Sequence, residues 1–339
     1  MNEVAVARPR VLTVIVSYNF EPWIERCLSS IRDSDYPSDL VVIDNASTDR
    51  TVSIIAERYR WIRLVRSRKN LGFGQANNIG MRMALEEDYD YVFLVNQDAW
   101  IEANTVGTLV GLAEKYPDYG VLSPVHLDGK GEHLDGSFAK YVGGASAVSS
   151  KKSDIVEAAF VNAAFWFIPV PALKKVGGFS PLFFHYGEDV DYIRRMRFYG
   201  YRVGYTPLTS GCHDRKNRPI TRQIQMKLDR VYYLSVVSDL NSGMAKCLWG
   251  GVLAPLKPGV LALLRGRFKE FCFYTVKATS DTEAWDELLD TWMDDADIVY
   301  DKDLIALRTC LLPNSKKTQE EKQCFRKDFS GVLQQQPIR

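Results

Sequence analysis

Leu94-Val95-Asn96-Gln97-Asp98-Ala99 is an apolar run that stops abruptly at an amide and a carboxylate. Read as a buried strand, residues 91–95 carry Asp98 to the carboxyl edge of a sheet, where open α/β folds bind their ligands. An acid at that edge suits Mg²⁺ or Mn²⁺, which prefer oxygen donors and keep coordination positions open for phosphate. The alternative is that Asp98 only caps a helix starting near Glu102.

Outward from this run, the chain alternates strand and helix patterns. Residues 11–16 are a β-branched run, followed by polar Ser17-Tyr18-Asn19 and a helical pattern over 21–31. Residues 40–43 repeat the strand, 44–49 form a polar loop, and 51–59 a helix that Thr48 or Asp49 can cap. A third strand at 62–65, a helix at 75–87 and the strand at 91–95 complete the series, with a further helix over 103–116. Such alternation implies an α/β fold: a mainly parallel open sheet with helices on both faces.

After residue 116 the rhythm changes, and 120–150, rich in Gly, Ser and Asp, suits loops and antiparallel strands. A strand over 160–168, a short helix over 169–176, a helix over 188–199 and a strand over 201–205 follow. Beyond Pro219 the pattern is helical, over 220–240 and again over 284–312. The expected organisation is a catalytic α/β domain over 1–218, a helical region over 219–315 and a polar tail over 316–339.

Composition narrows the classes. Lys and Arg number 43 against 42 Asp and Glu, so no overall field draws the chain to nucleic acid, and none is expected as a partner. The six cysteines are scattered without a CxxC pair, which argues against a zinc site or a disulfide framework and for a reducing cytoplasm. The first ten residues lack the apolar core of a signal peptide, and no 18-residue apolar run would span a membrane. Residues 244–279 mix apolar side chains with Lys246, Lys257, Arg265, Arg267 and Lys269. That mixture suits peripheral contact with a membrane surface, packing on the core, or a homo-oligomer made through the C-terminal helices.

The loops after the strands carry the chemistry. Asp44 ends the second strand on the edge expected for Ser17, Tyr18, Asn19 and Asp98; a carboxylate there can accept the N3–H of uracil or thymine, and an aromatic face such as Tyr18 can stack on the base. Asn70-Leu71-Gly72-Phe73-Gly74 leads into a helix N-terminus, where glycines let backbone amides approach a phosphate or sugar. It is not the dinucleotide fingerprint, which would need glycine where Asn77 stands. Asn77 and Asn78 lie in an otherwise apolar helix, so one is expected to find a partner outside it, either the donor or an adjoining loop. Glu188-Asp189-Val190-Asp191 opens a helix; three acids in four positions exceed what the helix dipole needs, and one could act as general base toward a sugar hydroxyl. Asp191 faces elsewhere and is free to pair with Arg194 or Arg195. His213, in a polar segment after the 201–205 strand, is either a surface loop residue or a metal ligand.

Taken together, Val14-Ile15-Val16-Ser17-Tyr18-Asn19, Val42-Ile43-Asp44-Asn45-Ala46-Ser47-Thr48-Asp49, Asn70-Leu71-Gly72-Phe73-Gly74, Leu94-Val95-Asn96-Gln97-Asp98 and Gly177-Gly178-Phe179 with Glu188-Asp189-Val190-Asp191 strongly resemble family 2 glycosyltransferases, over about residues 10–215. The Asn-Leu-Gly-Phe-Gly and Asn-Gln-Asp forms resemble the bacterial rhamnosyltransferase-like branch. The resemblance implies a GT-A fold, a nucleoside-diphosphate sugar donor (UDP- or dTDP-linked), a glycan or lipid-linked saccharide acceptor, Mg²⁺ or Mn²⁺, and inversion at the anomeric carbon. It assigns Ser17, Tyr18 and Asp44 to the nucleoside, Asp98 and His213 to the metal, and Asp189 to the base, with Glu188 in reserve. Asn19, Asn70, Gly72, Phe73, Gly74, Asn77 and Asn96 complete the candidate donor site. The departure is Asn96, where many members have aspartate; an amide oxygen still ligates Mg²⁺ but brings no charge. Two other readings remain: a nucleotidyltransferase, which would want a Gly-rich basic loop where Ser17-Tyr18-Asn19-Phe20-Glu21 stands, and a catalytically degenerate domain that binds nucleotide sugar as a scaffold.

Overall fold

The structure is a computed structural model that describes residues 7–144, 153–215, 221–277 and 333–335. The helix expected over 284–312, most of the Gly/Ser stretch at 143–150 and most of the polar tail lie outside the described residues. The chain divides into two compact units: Met1–Gly178 with Tyr199–Asn217 and Val332–Arg339, and Phe179–Phe198 with Arg218–Gly331.

In the first unit, β1 (Val11–Ser17), α1 (Ile24–Arg32), β2 (Asp39–Asp44), α2 (Thr51–Arg58), β3 (Arg63–Ser67), α3 (Gly72–Glu86) and β4 (Tyr91–Asn96) alternate as the apolar pattern predicts. Then come β5 (Ala99–Ile101), α4 (Thr105–Lys115), β6 (Tyr119–Asp128), α5 (Gly136–Val142), β7 (Val156–Glu157), β8 (Phe165–Pro169), α6 (Val170–Val176) and β9 (Arg202–His213). One sheet runs β10 (Leu333–Gln335), β3, β2, β1, β4, β8, β6, β9, β5, with β7 also on β9. Its β3–β2–β1–β4 half is parallel, and parallel pairing returns between β6 and β9; β8 joins the halves antiparallel to both β4 and β6.

β1, β2 and β4 are buried on both faces, which explains their continuous apolar sequences. On one face Ile15, Val42 and Phe93 pack with Ile24, Leu28, Ile55, Val106 and Leu109 of α1, α2 and α4. On the other, α3 approaches β1 so closely that a Cβ on Gly80 would sit 2.5 Å from a Val14 methyl.

Three expectations change. Asp98 does not cap a helix: α4 begins at Thr105 with Asn104 before it, because β5 intervenes and pairs with β9. Within 120–150, β6 is a ten-residue strand, and Asp135 caps a helix there, accepting from the N–H groups of Ser137 (3.0 Å) and Phe138 (2.9 Å). The strand expected over 201–205 runs on to His213, so that histidine ends a strand. Its later half is polar and held by β6, β5 and a Thr105–Thr209 hydroxyl contact of 2.8 Å, none of which local apolar periodicity signals.

In the second unit, α7 (Glu188–Phe198) and α8 (Arg222–Val237) are fastened by Arg194, which donates to the Ser235 carbonyl and lies 3.6 Å from Asp239. α9 (Met244–Cys247), a π-helical segment (Leu248–Leu253), α10 (Leu256–Leu264), α11 (Phe268–Cys272) and a second π-helical segment (Phe273–Lys277) follow. Buried Tyr274 donates to Asp229 Oδ2 at 2.6 Å, and Arg222 pairs with Glu270 at 2.6 Å, tying α8 to the last two elements.

Two helical glycines separate propensity from packing. Gly111, in α4, would gain a Cβ with nothing within 4 Å, so Gly111→Ala is expected to stabilise by about 0.5–1 kcal/mol. Gly80→Ala gains the same propensity but forces a methyl onto fully buried Val14, an overpacking penalty of about 1–3 kcal/mol that exceeds the gain. Urea midpoints moving in opposite directions for the two variants are the expected result; a stabilised Gly80→Ala contradicts the packing.

Candidate active site

Parallel register brings three strand ends level. Ser17 of β1 is opposite Asp44 of β2, and Val16 is opposite Asn96 of β4, so the polar residues that end these apolar strands share the carboxyl edge. Ser17 and Asp44 are buried, and the serine hydroxyl donates to Asp44 Oδ1 at 3.2 Å. Asp44 Oδ2 accepts from the Ser47 N–H at 3.2 Å, leaving this carboxylate at the base of a loop with lone pairs still available to a ligand.

Tyr18 lies just beyond and is 45% exposed. Gln97 fixes its backbone: Oε1 accepts the Tyr18 N–H at 2.7 Å and Nε2 donates to the Tyr18 carbonyl at 3.1 Å. The side-chain amide acts as a substitute peptide across 79 residues of chain, locking the aromatic loop to the turn that carries Asp98. Gln97 went unassigned in the sequence although it stands inside the key motif; long-range pairing with a backbone leaves no local signature. Asn19, at φ +54°, fastens the other side, its Oδ1 accepting from the Thr48 N–H (2.9 Å) and its own N–H donating to Ser47 Oγ (3.0 Å). Thr48 thus serves this loop. The first turn of α2 receives Asp49, whose Oδ1 accepts from the Thr51 N–H at 3.0 Å.

Asn45 is a second residue whose role was hidden. It is buried, and its amide donates to Asn70 Oδ1 and the Gly72 carbonyl, both at 3.0 Å, while its Oδ1 accepts from the Leu71 N–H at 2.7 Å. Asn70 also accepts from the Gly72 N–H at 2.9 Å, and Gly72 adopts φ +79°, a conformation that favours glycine. Asn70 and Gly72 therefore shape the loop that presents Phe73 and buried Gly74 at the start of α3. The two helix asparagines divide. Asn77 is buried with its amide donating to the Phe73 carbonyl inside the helix at 3.0 Å, whereas the Asn78 side chain reaches out of the helix. It lies so close to Gly178 that a Cβ there would be 2.5 Å from Asn78 Oδ1.

The metal candidates converge on one imidazole nitrogen. Because β5 pairs antiparallel with β9, Ala99 is opposite His213, and Asp98 arrives beside the ring. His213 is 3% exposed, with Nε2 3.2 Å from Asp98 Oδ1 and 3.4 Å from the Asn96 amide nitrogen. The Asp98 carbonyl accepts from the Asp214 N–H at 2.8 Å, which fixes the turn against the strand end. Asn96 Oδ1 and His213 Nδ1 are buried without a hydrogen-bond partner. A buried amide oxygen left unpaired beside a carboxylate and an imidazole is a donor set suited to Mg²⁺ or Mn²⁺. Among the described residues no group of three or more His, Cys, Asp and Glu side chains forms a metal cluster, so a cation held here would complete its shell with the amide, water or phosphate.

Glu188 and Asp189 belong to the other unit, at the start of α7. Glu188 is buried with Oε2 unpaired, and burial together with the neighbouring Asp189 pushes its carboxyl up to about 8. Asp189 is partly exposed, its Oδ1 accepting from the Val190 N–H at 2.8 Å. Asp191 forms the expected ion pair with Arg195, buried at 2.8 Å, and so is committed to structure. The three acids thus occupy three different environments.

The sequence pattern described as Glycosyl transferase family 2 matches residues 13–159. The chain is 26% identical over 228 residues to N-acetylglucosaminyl-diphospho-decaprenol L-rhamnosyltransferase of Mycobacterium tuberculosis H37Rv, covering 59% of this chain and 74% of that protein. It is 24% identical over 220 residues to rhamnosyltransferase WbbL of Escherichia coli K12, covering 60% and 83%. Among solved structures, Staphylococcus aureus TarS 1-349 superposes with a TM-score of 0.52 at 17% identity over 83% of this chain and 79% of that one. GalNAc-T7, solved with UDP, GalNAc and Mn²⁺, superposes at 0.52 with 15% identity over 78% and 56%. Over residues 13–159 the chain thus matches glycosyltransferase family 2, with a GT-A fold and with bacterial rhamnosyltransferases among the proteins it is similar to.

Proposed function

We propose that this glycosyltransferase moves a hexose, rhamnose being the first choice, from a UDP- or dTDP-linked donor to a hydroxyl of a growing glycan or lipid-linked saccharide, with inversion. The observation that carries this is the convergence of Asp98, His213 and the unpaired Asn96 oxygen at the strand edge that also holds the Ser17–Asp44 pair and exposed Tyr18. Asp44 accepts the N3–H of a pyrimidine base, and Tyr18 stacks on its face. Asp98, His213 and Asn96 would hold Mg²⁺ or Mn²⁺, whose charge balances the departing diphosphate. Gly72, Phe73 and Gly74 supply the loop and backbone amides near the donor sugar.

The proton of the acceptor hydroxyl passes to a carboxylate as its oxygen bonds to the anomeric carbon, and the diphosphate leaves with the electron pair of the broken bond. With its carboxyl at about 8, Glu188 already holds a proton at neutral pH and cannot accept another. We assign the base to the partly exposed Asp189, with Glu188 in reserve.

Four measurements test this. Asp98→Ala is expected to weaken Mn²⁺-dependent UDP or dTDP binding at least about tenfold by titration calorimetry; unchanged affinity contradicts the metal assignment. Asp189→Asn is expected to keep donor binding and lose transfer to a saccharide acceptor, whereas Glu188→Gln keeps both; the reverse pattern reassigns the base. Gln97→Leu, which removes both bonds to Tyr18, is expected to raise the donor KM about tenfold with a smaller change in kcat. For Glu188 the folded pKa is raised from 4.5 to about 8, so the folded state binds the proton longer than the unfolded chain. Stability therefore falls as pH rises through this window, by up to about 3–5 kcal/mol, and is level above it. Thermal melts between these pH limits should show that fall in the parent and a flat response in Glu188→Gln.

A further inference from the structure

α10 is packed inside out. Its small residues face inward, with Ala262 buried and a Cβ on Gly259 only 3.0 Å from the Thr275 side chain, while its large apolar residues face solvent. The exposed set continues through neighbouring elements as Trp249, Leu253, Leu256, Val260, Leu264 and Phe268, with Leu264 77% and Trp249 71% accessible. Within α10, Leu256, Val260 and Leu264 recur every four residues and so lie on one face; Trp249 and Leu253 belong to the π-helical segment before it. Exposed large apolar side chains clustered in this way are the mark of interaction surfaces.

The charges around it specify the partner. From residue 240 to 269 the sequence has five cations, Lys246, Lys257, Arg265, Arg267 and Lys269, and no acid. Lys257, Arg265, Arg267 and Lys269 are all exposed, and Arg267 lies 3.7 Å from Glu270, the next acid in the chain. Apolar side chains flanked by aliphatic cations, with an indole and a phenyl ring at the ends, match the boundary between acyl chains and anionic headgroups. Crossing the membrane is a different matter: α10 has nine residues, and no helix among the described residues is long and apolar enough to span.

We propose that the 249–269 surface docks on an anionic phospholipid bilayer, lying in the interface without crossing it. This rests on the transferase reading only for its purpose, which is to bring the donor site to a lipid-linked acceptor; the surface itself is independent of that chemistry.

The test sediments the full chain with vesicles of phosphatidylcholine alone and of phosphatidylcholine mixed equally with phosphatidylglycerol. The expected result is binding to the mixed vesicles that weakens with salt, and little binding to the neutral ones. Leu264→Gln with Phe268→Gln is expected to lower that partitioning at least about tenfold without changing the circular dichroism spectrum. Arg265→Glu with Lys269→Glu is expected to abolish the preference for anionic vesicles. A parent chain that stays in the supernatant, or apolar variants that bind as well as the parent, overturns the proposal. So does light scattering that shows a lipid-free dimer converted to monomer by the apolar variants, because these side chains would then form a self-association surface. Donor hydrolysis measured in the same samples without lipid reads the transferase chemistry separately, so failure of docking and failure of that chemistry are distinguishable.

Discussion

The parallel register of β1 with β2 and β4 is the constraint on which the proposed donor site depends. Ser17 meets Asp44 because Val14 meets Val41 three residues earlier, and Asn96 is level with them because Val14 also meets Leu94. The hydrophobic burial of both faces sets this register, since a slip would move every buried side chain. Polar residues that no core could accommodate are thereby delivered together at one edge. β9 adds the remaining piece: its pairing with β5 places His213 opposite Ala99 and so beside Asp98.

Amides hold the loops in place once the strands have positioned them. Gln97 bridges the Tyr18 peptide, Asn19 holds Thr48, and Asn45 joins Asn70, Leu71 and Gly72. Each is suited to the task because a carboxamide offers a donor and an acceptor in one plane, as a peptide does. An isolated carboxylate would satisfy only N–H groups, and a hydroxyl reaches less far. The result is a strand edge whose loops are joined laterally, so that under the proposed donor reading a base at Tyr18 and a phosphate near Asp98 would be mechanically connected through Gln97.

Legibility in the sequence followed the range of the interactions. The β1–α1–β2–α2–β3–α3–β4 series could be read because burial on both faces writes itself as continuous apolar strands and amphipathic helices. Asp44 and Asp98 stood out because they interrupt those strands. What escaped was held by distant partners. The second half of β9 is polar yet buried, with Thr206 and Thr209 inside, so His213 resembled a loop residue. Gln97 and Asn45 looked like ordinary loop amides because their partners lie 79 and about 26 residues away. α10 has the apolar content of a core helix, and only the structure shows its large side chains facing outward.

The amide at Asn96 follows from the same electrostatics. Asp44 is buried at this edge, and Asp98 is partly shielded beside His213. An aspartate at 96 would add another carboxylate to a strand end where the dielectric is low and like charges repel strongly. An asparagine keeps an oxygen in the same place without that repulsion, and its Nδ2 lies 3.4 Å from the imidazole. The unpaired Oδ1 is then the feature that needs a partner, because a buried acceptor without one lowers stability by about 1–3 kcal/mol. The hard cation of the proposed reading would satisfy that oxygen, the Asp98 carboxylate and the His213 ring together. Under that reading, donor binding with its metal would relieve an unfavourable burial that the unliganded chain carries, and Asn96 would couple the stability of the strand edge to occupancy of the site.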